Sequence, residues 1–226
     1  SSPTTRKVSL TPKRVGTFVD VSKQLLAQSS IDVEMWLRNH LQTKTAVAVQ
    51  IAAINGSGSS NQPTGILNTS GIGSVVGGTN GLAPTWAHLV KLEEEVAVDN
   101  ADMGSLGYLT NAKVRSILKQ TKLDAGSGLF IWSQFEKDAP LNGYKTGITN
   151  SVPSTLDKGS STGVCSAILF GNFSDLYIGQ WGGIDLVVNP YTKAKEATVE
   201  IIINSWWDIG VARPQSFAAM VDALTV

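Results

Sequence analysis

Cysteine is almost absent from this chain: Cys165 is the only one among 226 residues. An intrachain disulfide is impossible, so a small secreted scaffold stapled by bridges is excluded. Histidine is nearly as scarce. His40 and His88 are the only two, and neither stands at ligand spacing from another histidine, cysteine or carboxylate, which argues against zinc. An excess of either charge is missing too, since 18 Lys and Arg oppose 18 Asp and Glu. Tight nucleic-acid binding draws on a basic excess that neutralises phosphates, so gripping nucleic acid is not the primary task, although weak proximity to DNA is compatible. Zero net charge leaves little repulsion between copies and mildly favours association. No apolar run approaches a membrane span, and no apolar signal core stands at the N-terminus. The expectation is a soluble protein of a reducing compartment. The polar start, Ser1-Ser2-Pro3, reads as the end of a trimmed piece.

What is present suffices for a core. A chain of this length buries roughly 70% of its unfolded surface, as one large domain or two interleaved ones. Val8-Ser9-Leu10 and Gly16 to Val21 alternate apolar with polar, on either side of Pro12, and read as strand or extended arm. Ser29-x-x-Asp32 reads as a capping box, with Asp32 and Glu34 in the first turn of a helix from Ile31 to Ile54. That helix is about 35 Å long at 1.5 Å per residue. Its apolar residues form two neighbouring stripes, Val33, Trp36, His40, Val47, Ile51 and Ile54 beside Leu37, Leu41, Ala48 and Ala52. A sheet can cover one stripe and another element, or another subunit, the next. The same pattern also suits the central helix of an ordinary monomer.

The helix runs into Asn55 to Leu67, a stretch that makes a tight glycine and proline turn. Thr85 is expected to cap a second helix with Trp86, Leu89, Val90 and Val96 inward. Thr110 or Asn111 is expected to cap a third, using Val114, Ile117 and Leu118. Strand signals follow at Leu129–Trp132, Lys145–Thr149, Ser166–Phe170 and Ile184–Val188. In the last strand Val199, Ile201, Ile203, Trp207, Ile209 and Val211 share one parity, and Arg213-Pro214 ends it. Helices come first and strands later, so the fold class is α+β.

Chemistry is sought without success. Gly71-x-Gly73-x-x-x-Gly77 misses the dinucleotide fingerprint, and Gly56-Ser57-Gly58 lacks the spacing of a nucleophile elbow. The stretch from Asp99 to Thr110 fails as a calcium loop at its third and twelfth positions. Glu93-Glu94-Glu95 diverge around a helix and read as a solvated face. His40 reads as a hydrogen-bonded structural histidine, His88 as solvated, and Cys165 as an inert buried thiol. Trp206 and Trp207 point to opposite sides of a strand, one to the core and the other to cover an interface.

The succession of segments resembles the major capsid proteins of tailed bacteriophages, the Hong Kong 97-type family. Val21-Ser22-Lys23-Gln24-Leu25-Leu26 is similar to the family's lead into its long spine helix. Gln62-Pro63-Thr64-Gly65-Ile66-Leu67 is similar to its most recognisable run. Tyr108-Leu109-Thr110-Asn111, Leu141-Asn142-Gly143-Tyr144, Thr149 to Pro153, Phe170 to Phe173 with Tyr177-Ile178-Gly179, and Arg213-Pro214 follow in the family's order.

The resemblance implies a spine helix, a peripheral domain (1–83 completed by 191–213) and an axial domain (84–190 completed by 214–226). It implies no enzyme activity and no cofactor. It also implies self-association into hexamers and pentamers of an icosahedral shell around double-stranded DNA, with scaffold, maturation protease and portal proteins as further partners. No membrane is involved, and the location is the virion, reached through the bacterial host cytoplasm. Trp36, His40, Trp206 and Trp207 are then core or interface anchors. Gly56, Gly58, Pro63 and Gly65 form the turn that ends the spine helix, and Arg213 and Pro214 close the long strand. Members also carry an N-terminal arm and a long hairpin loop of which only a returning strand, near Val8 to Asp20, stands here. Two rivals remain: an encapsulin-type nanocompartment shell, and a hydrolase using Glu93, Glu94 or Asp99.

Overall fold

A computed structural model describes residues 7–29, 32–124, 126, 128–133, 135–136 and 139–226. Ile31 and the side chain of Glu34 lie outside the described residues, as does the Ser1-Ser2-Pro3 terminus. In chain order the helices and strands are β1 (Lys13–Ser22), α1 (Lys23–Gln28), α2 (Val33–Asn55), β2 (Gly73–Ser74), α3 (Trp86–Val98), β3 (Leu106–Thr110) and α4 (Ala112–Gln120). They continue with β4 (Lys145–Ile148), β5 (Leu156–Lys158), β6 (Ser161–Asn172), β7 (Leu176–Asn189), β8 (Thr198–Val211) and β9 (Phe217–Leu224).

Two sheets organise the chain. The smaller is antiparallel, ordered β1-β8-β7, and the larger is ordered β2-β9-β6-β3-β4 with β5 on β6. In β8 the side chains of Val199, Ile201, Ile203 and Ser205 are buried, and Ile201 and Ile203 pack with Val21 of β1 against Leu37 and Leu41 of α2. Alternation assigns the faces here, because successive side chains on a strand point to opposite sides. In the larger sheet, Ile168 and Phe170 of β6 join Leu89, Leu92, Val114 and Leu118 of α3 and α4. Their neighbours Ala167 and Leu169 face the other way, onto Ile54 and Ile66. Strands β6 and β9 are therefore buried on both faces.

Helix α2 has Asp32 as its N-cap, the Oδ1 accepting from the Met35 N–H at 3.0 Å, whereas the expected capping box places Asp32 inside the first turn. The covered stripe steps strictly by four: Leu37, Leu41, Thr45, Val49 and Ala53 are buried, and Thr45 satisfies itself by donating to Leu41 O at 3.0 Å. Most of the other expected stripe is left outside.

The Leu129–Trp132 run forms no strand. Its amides turn back to the end of α4, Ile131 N–H to Thr121 O at 3.0 Å and Trp132 N–H to Leu118 O at 3.2 Å. Trp132 itself is buried and donates its indole N–H to Ala139 O at 3.1 Å. In addition, β7 hydrogen-bonds along β8 from Leu176 to Asn189, so residues 176–189 share a sheet with β1, whereas the expected division places them in the axial domain, 84–190.

Candidate assembly surface

The turn after α2 is built backwards from two missing β-carbons. Gly56 N–H closes the helix on Ala52 O at 2.9 Å, and Gly65 N–H returns to Gly56 O at 2.9 Å. A β-carbon on Gly56 would lie 2.3 Å from Pro63 O, and one on Gly65 would lie 2.5 Å from Gly56 N. The two backbone segments thus cross at a distance only glycine allows. Gly58 has φ +70 and donates to Pro63 O at 3.0 Å, while Ser60 and Asn61 supply the consecutive positive φ values of the tip. Asn68 Nδ2 then serves the orphan end of the helix, donating to Asn55 O at 3.2 Å and Gly56 O at 3.0 Å. Pro63 is buried, whereas Ser57 to Gln62 stand in solvent.

Beside this turn lies a groove of about 420 Å³, lined among others by Arg14, Val15, Ala48, Ile51, Ala52 and Pro63. It opens onto the uncovered side of α2. Trp36 is 60% exposed there, with Met35, Val47 and Ile51 also in solvent. His40, expected inside as a hydrogen-bonded histidine, is exposed instead. It stacks on Trp36, ring centres 5.6 Å apart and planes 10° from parallel. The outer face of the small sheet is bare too. Phe18, 64% exposed, stands beside Ile202, which stands beside Val187. Trp206 lies on this open face between Arg14 and Trp181. Trp207 points the other way and is half-buried, with its indole N–H lacking an acceptor among the described residues.

Two polar anchors hold the lead into β1 and the exit from β8. Asp208, buried, accepts from Thr11 N–H at 2.7 Å and from Lys13 Nζ at 3.0 Å. Burial alone would raise its carboxyl, but these donors together with Ile209 N–H outweigh it and hold it below the usual value. Val8 and Leu10 lie over Gly210, where a β-carbon would come within 2.7 Å of Val8 Cγ1. Arg213 donates to the carbonyls of Asp99 and Asn100 at the end of α3, and Pro214 is buried beside it.

The residues set aside as possible chemistry are engaged structurally. His88 is buried rather than solvated: its Nδ1 accepts from Thr85 N–H at 3.2 Å and completes the cap of α3. Burial first, then the Lys91 charge, lowers its basicity. Glu93 is half-buried, not on a solvated face, and accepts from both Tyr108 Oη and Asn142 Nδ2. Burial and this carboxylate push the Tyr108 phenol far up. Cys165 is buried and its thiol raised, by burial and then by the Asp222 charge. Among the described residues no group of three or more His, Cys, Asp or Glu is placed to hold a metal, and no helix is long and apolar enough to cross a membrane.

Comparison with known proteins follows the same lines. Residues 1–222 match the model of the phage capsid family. The major capsid protein of Halomonas phage phiHAP-1 is 28% identical over 211 residues, which is 93% of this chain and 32% of that protein. The chain thus spans about a third of that relative's length. Among solved structures, the capsid of an empty GTA particle superposes with a TM-score of 0.76 at 22% identity, over 94% of this chain and 74% of that one. The holo-SrpI encapsulin complex from Synechococcus elongatus PCC 7942 superposes at 0.66 with 17% identity, over 95% and 75%. At these identities the likeness of structure is one of fold.

Proposed function

This chain belongs to the phage capsid family, and from that premise we propose that it is the shell-forming part of a major capsid protein. Copies tile a closed icosahedral head around double-stranded DNA as hexamers and pentamers. The observation that carries this reading is the family match along nearly the whole chain, residues 1–222. The geometry supports it through apolar surface left without a partner, on α2 at Trp36, Val47 and Ile51 and on the small sheet at Phe18 and Val187. Contiguous exposed apolar patches of this kind mark contact sites. In a shell the work is geometric, with the same contacts repeated around five- and six-fold axes.

On this reading Trp36, His40 and Trp206 are contact residues, and Trp207 is a core anchor on the opposite face of the small sheet. The turn of Gly56, Gly58, Pro63 and Gly65 fixes where the helix ends, and Arg213 with Pro214 fixes where the long strand leaves. The two-domain division is kept, with 176–189 moved to the peripheral part because β7 extends its sheet. Scaffold, maturation protease and portal proteins are the further partners proposed, and the host cytoplasm the place of assembly. No catalytic role is assigned. Glu93, the most enclosed of the acids put forward for a hydrolase, is tied at Oε1 by both Tyr108 and Asn142.

A second reading, an encapsulin shell, rests on the shared fold. The experiment is electron microscopy with particle mass on the complete parent protein, expressed alone and with its neighbouring genes. Large closed shells are expected. Small shells that co-purify with an enzyme would favour the encapsulin, and a protein monomeric in every preparation would overturn both.

A further inference from the structure

Three Asn-Gly pairs occur in this chain, Asn55-Gly56, Asn80-Gly81 and Asn142-Gly143. Glycine after asparagine leaves the following backbone nitrogen least hindered, so by sequence alone all three are equally open to loss of the side-chain amide. The fold separates them. Gly56 is buried and its N–H is bonded to Ala52 O at 2.9 Å. Gly81 N–H donates to Gly78 O at 3.3 Å, and a β-carbon there would lie 2.7 Å from Asp222 O, so this glycine is packed from one side. Asn80 is also held, its Oδ1 accepting from Ser160 N–H at 3.0 Å. Gly143 is different. It is exposed, its N–H has no acceptor among the described residues, and no atom lies within 4 Å of a β-carbon built on it.

Asn142 and Gly143 form the tip of a two-residue turn, with φ values of 50 and 80, closed by reciprocal Leu141 and Tyr144 bonds of 3.1 and 3.0 Å. The Asn142 amide is tied down by Nδ2 donating to Glu93 Oε1, which Tyr108 Oη shares. We propose that Asn142 is a site of spontaneous deamidation and that Glu93 sets its rate. The Gly143 backbone nitrogen, giving up its proton, attacks Asn142 Cγ. The Cγ–Nδ2 bond breaks, ammonia leaves, and a five-membered succinimide remains. Water then opens the ring at either carbonyl to give aspartate or isoaspartate. One water is consumed, one ammonia is released, and nothing is oxidised or reduced.

Before attack, Nδ2 must leave Glu93, so the tie slows the step without blocking it. The product sets a second carboxylate against Glu93, and like charges at that distance repel. Leu141 is buried and Tyr144 packs edge-on against Phe170 of β6 at 5.1 Å, so the repulsion falls on the tie between the turn and α3 while the flanks stay seated in the core.

The test is incubation of the folded chain in mildly alkaline buffer, followed by peptide mapping by mass spectrometry of all three pairs together. The unfolded chain in concentrated urea is the reference, where similar rates are expected. In the folded chain the Asn142 peptide should gain one dalton at least threefold faster than the Asn80 or Asn55 peptide. Equal protection of all three, or Asn80 in the lead, overturns the assignment. Glu93→Ala should raise the ratio of the Asn142 rate to the Asn80 rate at least threefold. An unchanged ratio in the folded variant removes Glu93 from the account. General loosening would instead bring all sites to a common rate. Should Glu93→Ala fail to fold, Glu93→Gln decides by the same ratio, with a smaller rise expected and an unchanged ratio counting against Glu93.

Discussion

His88 is an acid-sensitive cap. Its neutral Nδ1 accepts from Thr85 N–H, and burial lowers its pKa from the ordinary 6.5. A depressed folded pKa contributes stability that is full above the unfolded value and lost as pH falls through the folded one. The melting temperature of the chain should therefore drop as pH falls below about 6.5, the ordinary imidazole value. His88→Gln, whose amide can reach back in the same capping box, should flatten that part of the curve, as read by thermal unfolding at stepped pH. Asp208 behaves the same way further down, its anchorage being lost only as pH falls through a value below the usual carboxylate range. Asp208→Asn should cost about 1–3 kcal/mol in denaturant unfolding at neutral pH, a difference that shrinks in strong acid. Both histidines lie on the side opposite to the one their sequence positions suggest, His40 outward and His88 inward. Periodicity gives the side of the helix but not which side is covered, and a cap formed by an imidazole leaves no pattern in spacing.

At the scale of elements, the turn after α2 was the most legible piece, because crossing backbones demand glycine at set positions. Gly56→Ala and Gly65→Ala each drive a β-carbon into backbone atoms at 2.3 to 2.5 Å. Overpacking typically costs about 1–3 kcal/mol, and backbone cannot yield as a side chain does, so the upper end or a failure to accumulate folded protein is expected, by chemical denaturation or soluble yield. Gly143→Ala, which meets open space but has φ +80, should cost less, about 1 kcal/mol, the usual penalty for a side chain in the left-handed region. Strand β9 was not legible. Phe217-Ala218-Ala219-Met220-Val221-Asp222-Ala223-Leu224 has no polar alternation because both of its faces are buried, and such a run reads as well for helix as for strand. The Leu129–Trp132 run failed in the opposite sense. It has strand composition, but its hydrogen bonds go to the end of α4.

For the whole molecule, the α+β class and the family could be read from ordered segments, whereas the extent of uncovered surface could not, since burial depends on which elements arrive. Trp36 separates folding from assembly. At 60% exposure its replacement in Trp36→Ala should leave unfolding free energy within about 0.5 kcal/mol, as surface changes usually do. The same change in the complete parent protein should reduce shell yield sharply, since buried aromatics dominate contacts between chains; sedimentation of assembled against unassembled protein reads it. Shells at full yield would remove Trp36 from the contact.

Helix α2 is gripped at two places, by Val21, Ile201 and Ile203 along its first half and by the core around Leu169 and Phe217 at its end. In mechanical terms it is a torsion bar between two plates. A neighbour that twists the small sheet applies a torque along about 35 Å of helix, and the Gly56–Gly65 crossing, with no slack at backbone contact, acts as the fixed end. In the proposed shell, strain applied to one plate would be taken up as coiling of the bar itself, and the exposed Trp36 stripe offered to the next copy would turn with it.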